Sequence, residues 1–211
     1  MKNVRKILDD KLSGARFRLL TSFMTEEKNS KRITNPVIKD YHVGYRAQVK
    51  KWAVNPLDIV IEYLKEIHEG SKIADIGCGE ALISQKIENV TSIDLFPVNE
   101  SILKADLDNL PLEDKSFDVA VYCLSLLKKN VFKTITEANR ILKVGGELVI
   151  TETKSRIEVN EFIKRIKNLG FKVEQKRDIE DFFYFLVFKK IEDKKITRGE
   201  IQMKEFVYKK R

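Results

Sequence analysis

The chain has 211 residues, of which 43% are hydrophobic, and its formal net charge is +8 at pH 7, which suits one domain with a modest appendage. Its apolar runs are shorter than the roughly 20 residues of a membrane helix, and its first residues lack a signal peptide's apolar core, so we expect a soluble intracellular protein with no membrane partner. Two cysteines and two histidines without metal-ligand spacing predict reduced thiols and no bound metal.

Positive charge is concentrated at the two ends of the chain. Residues 1–55 carry a net charge of +8 and residues 189–211 carry +5, whereas residues 56–188 carry −5. An acidic centre between basic flanks predicts a polyanionic partner that is held from outside the central site. The alternative is that the flanks are solvated helix faces and a loose tail.

Residues 1–55 are predicted to form a basic, helical N-terminal segment. Apolar side chains recur at helical spacing over residues 17–24, and a second helix is expected over residues 37–52. This second helix contains the aromatic run Tyr41-His42-Val43-Gly44-Tyr45. Such a run most often packs against a neighbouring domain, but His42 is also able to donate a hydrogen bond to a ligand carboxylate.

Strands and helices alternate along residues 56–190, after a helix that Pro56 opens and Gly70 closes. The alternation predicts an α/β domain with a doubly wound, mostly parallel sheet and an antiparallel final hairpin. Residues 191–211 are expected to form a basic, lightly tethered tail. Seven strands are expected near residues 72–76, 90–94, 101–105, 117–123, 146–153, 171–177 and 182–189, and further helices near 80–88, 130–142 and 158–169.

The most informative local pattern runs from Asp75 to Gly79 in the sequence Asp-Ile-Gly-Cys-Gly. Two glycines at this spacing let the backbone approach a ligand, and the predicted helix after them would point its free N–H groups at that ligand. A dinucleotide site would have a third glycine where this chain has Leu82. The pattern therefore favours S-adenosylmethionine, and the alternative is a plain glycine-rich connection between a strand and a helix.

Acidic residues also follow the next two predicted strands. Asp94 lies where a carboxylate meets the ribose hydroxyls in a βαβ nucleotide site, because it accepts hydrogen bonds from both. Asp106 offers an acceptor to an adenine amino group, and Leu107 offers an apolar wall to its ring. Taken singly, each aspartate is as often a turn or cap residue.

The segment after the fourth strand, from Val121 to Leu127, lacks the Asn/Asp-Pro-Pro-aromatic motif of enzymes that methylate an exocyclic amine. Cys123 in this segment is expected to line the cofactor pocket. Core packing and attack on a pyrimidine are the alternatives, the last disfavoured because no residue to activate the thiolate is evident. Methyl transfer mainly requires positioning, and the sequence assigns no catalytic residue.

Several longer motifs closely resemble the nucleomethylin family, also called ribosomal RNA-processing protein 8, from about Phe17 onward. They are YHVGYRAQVKKW, ADIGCGEA, PLEDKSFDVAVYCLSL, EANRILKVGGEL and the final YKKR. The resemblance implies a class I (Rossmann-like) fold with an N-terminal helical cap. It also implies S-adenosylmethionine-dependent methylation of N1 of an adenine in large-subunit ribosomal RNA. The expected location is the nucleus, in the nucleolus, and a pre-ribosomal particle is an expected partner. The implied cofactor contacts are His42, Gly77, Asp94, Asp106, Leu107 and Cys123.

Further residues are candidates for contact with RNA. Glu152 and Arg156, past the fifth strand, are expected to line a base pocket and hold a phosphate, with a surface salt bridge as the alternative for each. The family usually has Met-Gly-Thr-Asn where this chain has Leu127-Lys128-Lys129-Asn130, beside the expected substrate entrance. A small-molecule or protein methyltransferase and a cofactor-sensing nucleoprotein-binding module remain alternative functions. The phosphate contacts expected in the N-terminal segment are Arg16, Arg18, Lys50 and Lys51.

Overall fold

A seven-stranded sheet forms the centre of the computed structural model, which describes residues 2–26, 32–194 and 196–206. The first five strands are parallel, and the seventh is antiparallel to both of its neighbours. The order across the sheet is β3-β2-β1-β4-β5-β7-β6. This confirms the predicted doubly wound, mostly parallel α/β sheet with a final hairpin. The strands are β1 (Ile73–Ile76), β2 (Val90–Asp94), β3 (Leu103–Lys104), β4 (Phe117–Cys123), β5 (Leu142–Thr153), β6 (Phe171–Ile179) and β7 (Phe183–Lys190).

Helices cover both faces of the sheet and form the predicted cap at the N-terminus. Local sequence explains where they start: Pro56 occupies the first turn of the third helix, and the Asn55 side chain accepts a hydrogen bond from the Leu57 N–H. Over the described residues, no helix is both long and apolar enough to cross a membrane. The helices are α1 (Lys2–Thr25), α2 (Asn35–Val49), α3 (Pro56–Ile67), α4 (Phe132–Ile141) and α5 (Val159–Lys167).

The core has two layers, one on each face of the sheet. On one face, Val60 and Leu64 of α3 pack with Val119, Val121 and other inward residues of the strands. The larger layer, on the other face, includes fully buried residues of α4 and α5. Successive residues of the central strands point to opposite faces and both faces are covered, so β1 and most of β4 are buried throughout.

The prediction of a helix over residues 80–88 is wrong, because this segment forms a run of turns. Its hydrogen bonds include the short-range bonds from the Ala81 N–H to the Cys78 carbonyl and from the Lys86 N–H to the Ile83 carbonyl. Ala81 has a φ of 55°, which a right-handed α-helix does not accommodate. The N–H groups near the glycines are therefore presented by a turn and not by the first turn of an α-helix.

The C-terminal segment is not the loose tail that the sequence predicts, as far as the structure describes it. Ile201 and Met203 are buried in the main core layer. Their backbone pairs with the loop after β4, through bonds from the Val131 N–H to the Ile201 carbonyl and from the Met203 N–H to the Lys129 carbonyl. Residues 207–211 lie outside the described residues. The division of the chain at residues 55 and 190 stays a prediction.

Close packing of α1 on α2 at Gly44 generates a first prediction. A methyl group at Gly44 would lie 2.7 Å from Phe17 Cβ, so Gly44→Ala should force the helices apart and lower the free energy of unfolding by about 1–3 kcal/mol. Gly14→Ala, whose added methyl meets only side-chain ends at 3.6 Å or more, is the matched control and should be neutral or slightly stabilising. Denaturant unfolding measures both, and equal stability of Gly44→Ala and wild type would contradict the prediction.

Candidate functional site

A cavity opens between α2 and the carboxyl ends of β1 and β4. It lies at the edge where ligands of open α/β sheets bind, because the loops that follow parallel strands meet there. Within the part of the chain that the structure describes, no three His, Cys, Asp or Glu side chains form a group able to hold a metal ion. The cavity lining includes His42, Tyr45, Asp75, Gly77, Gly79, Glu80 and Cys123.

The glycine turn after β1 forms the floor of the cavity. Gly77 and Gly79 have φ values of 75° and 57°, which favour glycine. A side chain at Gly77 would overlap Ser125 of the loop after β4, so this position also needs the absence of a Cβ. The N–H groups of Gly77 and Cys78 donate to the Ile93 carbonyl at 2.8 and 3.0 Å, which fastens the turn to β2.

Asp94 ends β2 and holds the same turn with its carboxylate. One oxygen accepts the Gly79 N–H at 2.9 Å, and the other accepts the Phe96 N–H at 2.9 Å. A carboxylate has about four lone-pair positions, so each oxygen retains an acceptor site. The structure thus places Asp94 at the predicted strand end, beside the glycine turn, with acceptor capacity left for a ligand.

Asp75 lies one residue before the end of β1 and is 3% exposed, with its side chain toward the cavity. Burial raises the pKa of Asp75 from 3.8 to about 7, and the negative charge of Asp94 raises it further in the same direction. The carboxyl group therefore changes charge near neutral pH. The sequence pattern places Asp75 at the strand end and does not by itself assign it to the site.

His42 reaches the cavity from α2 and packs on the glycine turn. A Cβ built on Gly79 would lie 3.2 Å from His42 Cε1, so the ring covers the second glycine. Burial lowers the pKa of His42, against the opposing charges of Glu80 and Asp94, and the imidazole is neutral at pH 7. Arg46, one turn later on α2, pairs with Glu80 and fastens the helix to the turn.

A row of aromatic rings extends from the cavity along the cap. Tyr41 and Tyr45 stack with centroids 6.3 Å apart, Tyr45 meets Trp52 at 6.0 Å, and Trp52 meets Phe183 of β7 at 4.9 Å. Burial raises the pKa of Tyr45, so its phenol stays protonated. The YHVGY run in the sequence indicates this row of aromatic rings, although the sequence predicts a ligand contact only for His42.

Leu107 and Asp106 occupy different positions relative to the cavity. Leu107 Cδ1 lies 3.4 Å from the position of a Cβ on Gly77, so the leucine reaches the turn. Asp106 is exposed and accepts the Asp108 N–H at 3.0 Å, which lowers its pKa together with the nearby charge of Lys128. Lys128 pairs with Asp106 at 3.2 Å and with Asp108 at 2.6 Å. The lysine that departs from the family pattern thus engages the residue predicted to contact adenine.

Cys123 and Glu152 lie close together at the ends of β4 and β5. Burial raises the pKa of the Cys123 thiol, which keeps it protonated and argues against a nucleophilic role. Glu152 is 2% exposed and accepts hydrogen bonds from the N–H and hydroxyl of Thr153 at 2.7 and 3.0 Å. Its pKa is raised by burial and lowered by the charge of Arg156. Glu152 is therefore no surface salt-bridge residue, and its charge is felt inside the site.

The predicted phosphate contact of Arg156 does not fit its surroundings. The side chain is fully buried. Its guanidinium donates to the carbonyl oxygens of Leu126, Leu127 and Lys128 at 2.7, 3.2 and 3.3 Å, and to that of Lys204. Arg156 therefore joins the loop after β4 to the C-terminal segment. No local sequence pattern signals this role, because the carbonyls come from two distant parts of the chain.

The four basic residues of the N-terminal segment are all exposed. Two of them converge across α1 and the end of α2, because Arg18 Nη1 and Lys51 Nζ lie 3.6 and 3.8 Å from the position of a Cβ on Gly14. Lys50 is adjacent to Lys51 in sequence, and Arg16 lies two residues before Arg18. The structure thus brings together half of the predicted phosphate-binding group.

Comparison with known sequences identifies the relatives of the chain. Residues 3–211 match the family model described as a hypothetical methyltransferase. "Ribosomal RNA-processing protein 8" of Dictyostelium discoideum is 38% identical over 89% of this chain and 50% of its own length. A protein of Schizosaccharomyces pombe named "25S rRNA (adenine(645)-N(1))-methyltransferase" is 36% identical over 90% of this chain and 67% of its own length. The chain spans about half the length of several of these curated relatives.

Comparison with solved structures supports the fold. A SAM-dependent methyltransferase from Aquifex aeolicus superposes with a TM-score of 0.57, at 17% identity, over 75% of this chain and all of that one. At this identity the similarity concerns the fold alone. It agrees with the predicted class I (Rossmann-like) architecture.

The raised pKa of Asp75 generates a second prediction. A group whose pKa is higher in the folded state stabilises the fold at low pH, and this contribution is lost as pH rises through the folded pKa. Asp75→Asn should therefore gain stability relative to wild type as pH rises from about 4 to about 7, because the amide carries no charge to bury. Denaturant unfolding at pH 5 and pH 8 measures the difference.

Asp118→Asn is the control for this experiment. Lys143 lowers the pKa of Asp118, so the stability of Asp118→Asn relative to wild type should not change between pH 5 and pH 8. If Asp75→Asn also shows the same stability difference at both pH values, the proposed titration of Asp75 is wrong.

Proposed function

The chain belongs to the ribosomal RNA-processing protein 8 family of methyltransferases, and on that premise we propose that it methylates N1 of an adenine in large-subunit ribosomal RNA. We propose S-adenosylmethionine as the methyl donor. The observation that supports this most is the meeting of the glycine turn, the Asp94 carboxylate and the neutral His42 ring at one cavity.

The residues around the glycine turn fit S-adenosylmethionine. Because Gly77 and Gly79 have no side chains, Ser125 and His42 pack directly on the turn that lines the cavity. Asp94 keeps acceptor positions for two ribose hydroxyls, and Leu107 offers an apolar surface beside the turn. His42 has one ring N–H to donate to the carboxylate of the ligand, since its lowered pKa leaves it neutral.

The ionisation states of the site suit a neutral nucleophile. When bound, the cofactor supplies a methyl group on a sulfonium, which is open to in-line attack. Adenine N1 attacks with a lone pair that is already free, so no strong base is required. The protonated Tyr45 and Cys123 and the neutral His42 agree with that, because none of them needs to lose or carry a proton.

The product of this reaction carries a positive charge on the adenine ring. Two buried carboxyl groups lie near the carboxyl ends of strands at the site: Asp75 of β1 lines the cavity, and Glu152 is on β5, with β4 between the two strands. As carboxylates they stabilise a cation that forms nearby, and their raised pKa values show how unfavourable their own charge is without one. We propose this electrostatic role for both residues.

The substrate must offer an unpaired base. N1 lies on the Watson–Crick edge, which is hidden in a duplex, so the target adenine has to be in a loop or extruded from a helix. The exposed pair Arg18 and Lys51 on the cap supports phosphate contacts outside the cavity. We also propose that the protein acts in the nucleolus, on a pre-ribosomal particle, because its proposed substrate is ribosomal RNA.

The assignment of Asp94 gives a third prediction. Asp94→Ala should weaken binding of S-adenosylhomocysteine by about 2 kcal/mol or more, because it removes the hydroxyl acceptor and frees the glycine turn. Calorimetry measures this affinity. Asp118→Ala is a matched control, since Asp118 also accepts a backbone N–H, from Lys72 at 2.9 Å, but at the opposite edge of the sheet. Unchanged affinity of Asp94→Ala would overturn the assignment.

The reaction itself gives a fourth prediction. Incubation of unmodified large-subunit ribosomal RNA with labelled cofactor should yield 1-methyladenosine on nucleoside analysis, and the modified base should stop reverse transcriptase. The matched control is the same RNA with the target adenine locked in a stable duplex, which should react more slowly because extrusion costs a few kcal/mol. N6-methyladenosine, a methylated pyrimidine, or equal rates for loop and duplex would refute the proposed reaction.

A further inference from the structure

The turn between β6 and β7 is held in an uncommon conformation. Glu180 and Asp181 have φ values of 49° and 52°, a left-handed region that side chains such as these rarely adopt. The Phe182 N–H donates to the Ile179 carbonyl at 2.9 Å and closes the turn. The Lys154 N–H donates to the Phe182 carbonyl at 2.9 Å, which fixes the turn to the end of β5. The tip of the hairpin is therefore a defined structure that keeps Phe182 in place.

Phe182 stands out from this fixed tip into solvent. Its side chain is 58% exposed, whereas its neighbour Phe183 is 1% exposed and belongs to the core. The ring touches Phe183 at a centroid distance of 5.8 Å but leaves most of its surface uncovered. A polar residue would serve the turn equally well, so the fold gives no reason for a large aromatic side chain here.

The hairpin tip lies at the same edge of the sheet as the cavity. Phe183 pairs with Thr153, the last residue of β5, and β5 is parallel to β1 and β4. The aromatic row described above links the two places: Tyr45 lines the cavity, Trp52 contacts Tyr45, and Phe183 contacts Trp52. Phe182 is the exposed end of this row.

Positive charge accompanies the row and indicates what approaches it. Lys51 is adjacent to Trp52 in sequence, and its ammonium lies beside the Arg18 guanidinium across α1 and α2. On the hairpin tip, Lys154 lies between Asp178 at 3.0 Å and Asp181 at 3.3 Å, so it offsets part of the negative charge there, and the exposed cations belong to the cap at the other part of the row. An exposed aromatic ring at one end of an aromatic row that adjoins exposed cations further along suits single-stranded nucleic acid, by stacking and by phosphate contacts.

We propose that Phe182 is a stacking site for an unpaired RNA base that flanks the target adenine, with Arg18 and Lys51 on the phosphates between that base and the cavity. The proposal rests on the proposed function and adds the place where the RNA next to the target is held. The exposed cations favour RNA over an apolar protein partner as the occupant.

The test measures how tightly each variant binds a fragment of large-subunit ribosomal RNA that contains the unmodified target adenine, at several salt concentrations. Phe182→Ala should weaken binding by about tenfold at every salt concentration, because stacking is lost while the phosphate contacts remain. Phe182→Tyr should bind like wild type. Lys51→Ala should instead reduce the dependence of affinity on salt. Ile191→Ala, also an exposed apolar residue but just after the opposite end of β7, is the matched control and should have no effect.

Abasic substitution of the RNA identifies the stacked base. The base is removed from one position next to the target adenine at a time. For one of these positions, wild type should bind the abasic RNA as weakly as Phe182→Ala binds the intact RNA. At that position, Phe182→Ala should bind the abasic RNA only slightly more weakly than wild type does. Binding of S-adenosylhomocysteine should be the same in all variants, which verifies folding. If wild type methylates the RNA while Phe182→Ala binds and reacts equally well, the stacking site is refuted and the proposed function stands. If wild type neither binds nor methylates ribosomal RNA, both proposals fail.

Discussion

The carboxylate of Asp94 joins the glycine turn to the end of β2, and the shape of the site depends on this junction. Its two bonds, to the Gly79 and Phe96 N–H groups, connect the turn with the residues that follow β2 and add to the backbone bonds from Gly77 and Cys78 to Ile93. His42 covers Gly79, and Ser125 fills the space above Gly77. The cap and the loop after β4 are therefore both positioned against a turn that Asp94 holds.

The site combines several ionisable groups that burial keeps uncharged. Tyr45 and Cys123 retain their protons, His42 does not gain one, and Asp75 titrates near neutral pH. In such a pocket, the transfer of positive charge from the sulfonium to the adenine ring has a large electrostatic effect. This organisation suits chemistry in which the charge moves between cofactor and base and the protein transfers no proton.

The sequence predicts the sheet well because its strands are short runs rich in β-branched and aromatic residues, as over residues 90–94 and 117–123, which match the structure. It fails where one backbone angle or a distant contact decides. Ala81 takes a left-handed backbone angle near the start of the helix expected over residues 80–88, and the rest of that segment forms turns. The burial of Arg156 depends on a segment about 50 residues later in the chain, which no local pattern indicates. His42 was identified through a family resemblance and not through spacing.

The docking of the C-terminal segment has a consequence for synthesis of the protein. The loop after β4 accepts hydrogen bonds from Arg156 and from the Met203 N–H, and its Val131 N–H donates to the Ile201 carbonyl. On the ribosome, the strands and the glycine turn are complete before residues 201–206 emerge, and domains begin to fold from the N-terminal side. The loop after β4 therefore gains these contacts late, only after residues 201–206 have left the exit tunnel.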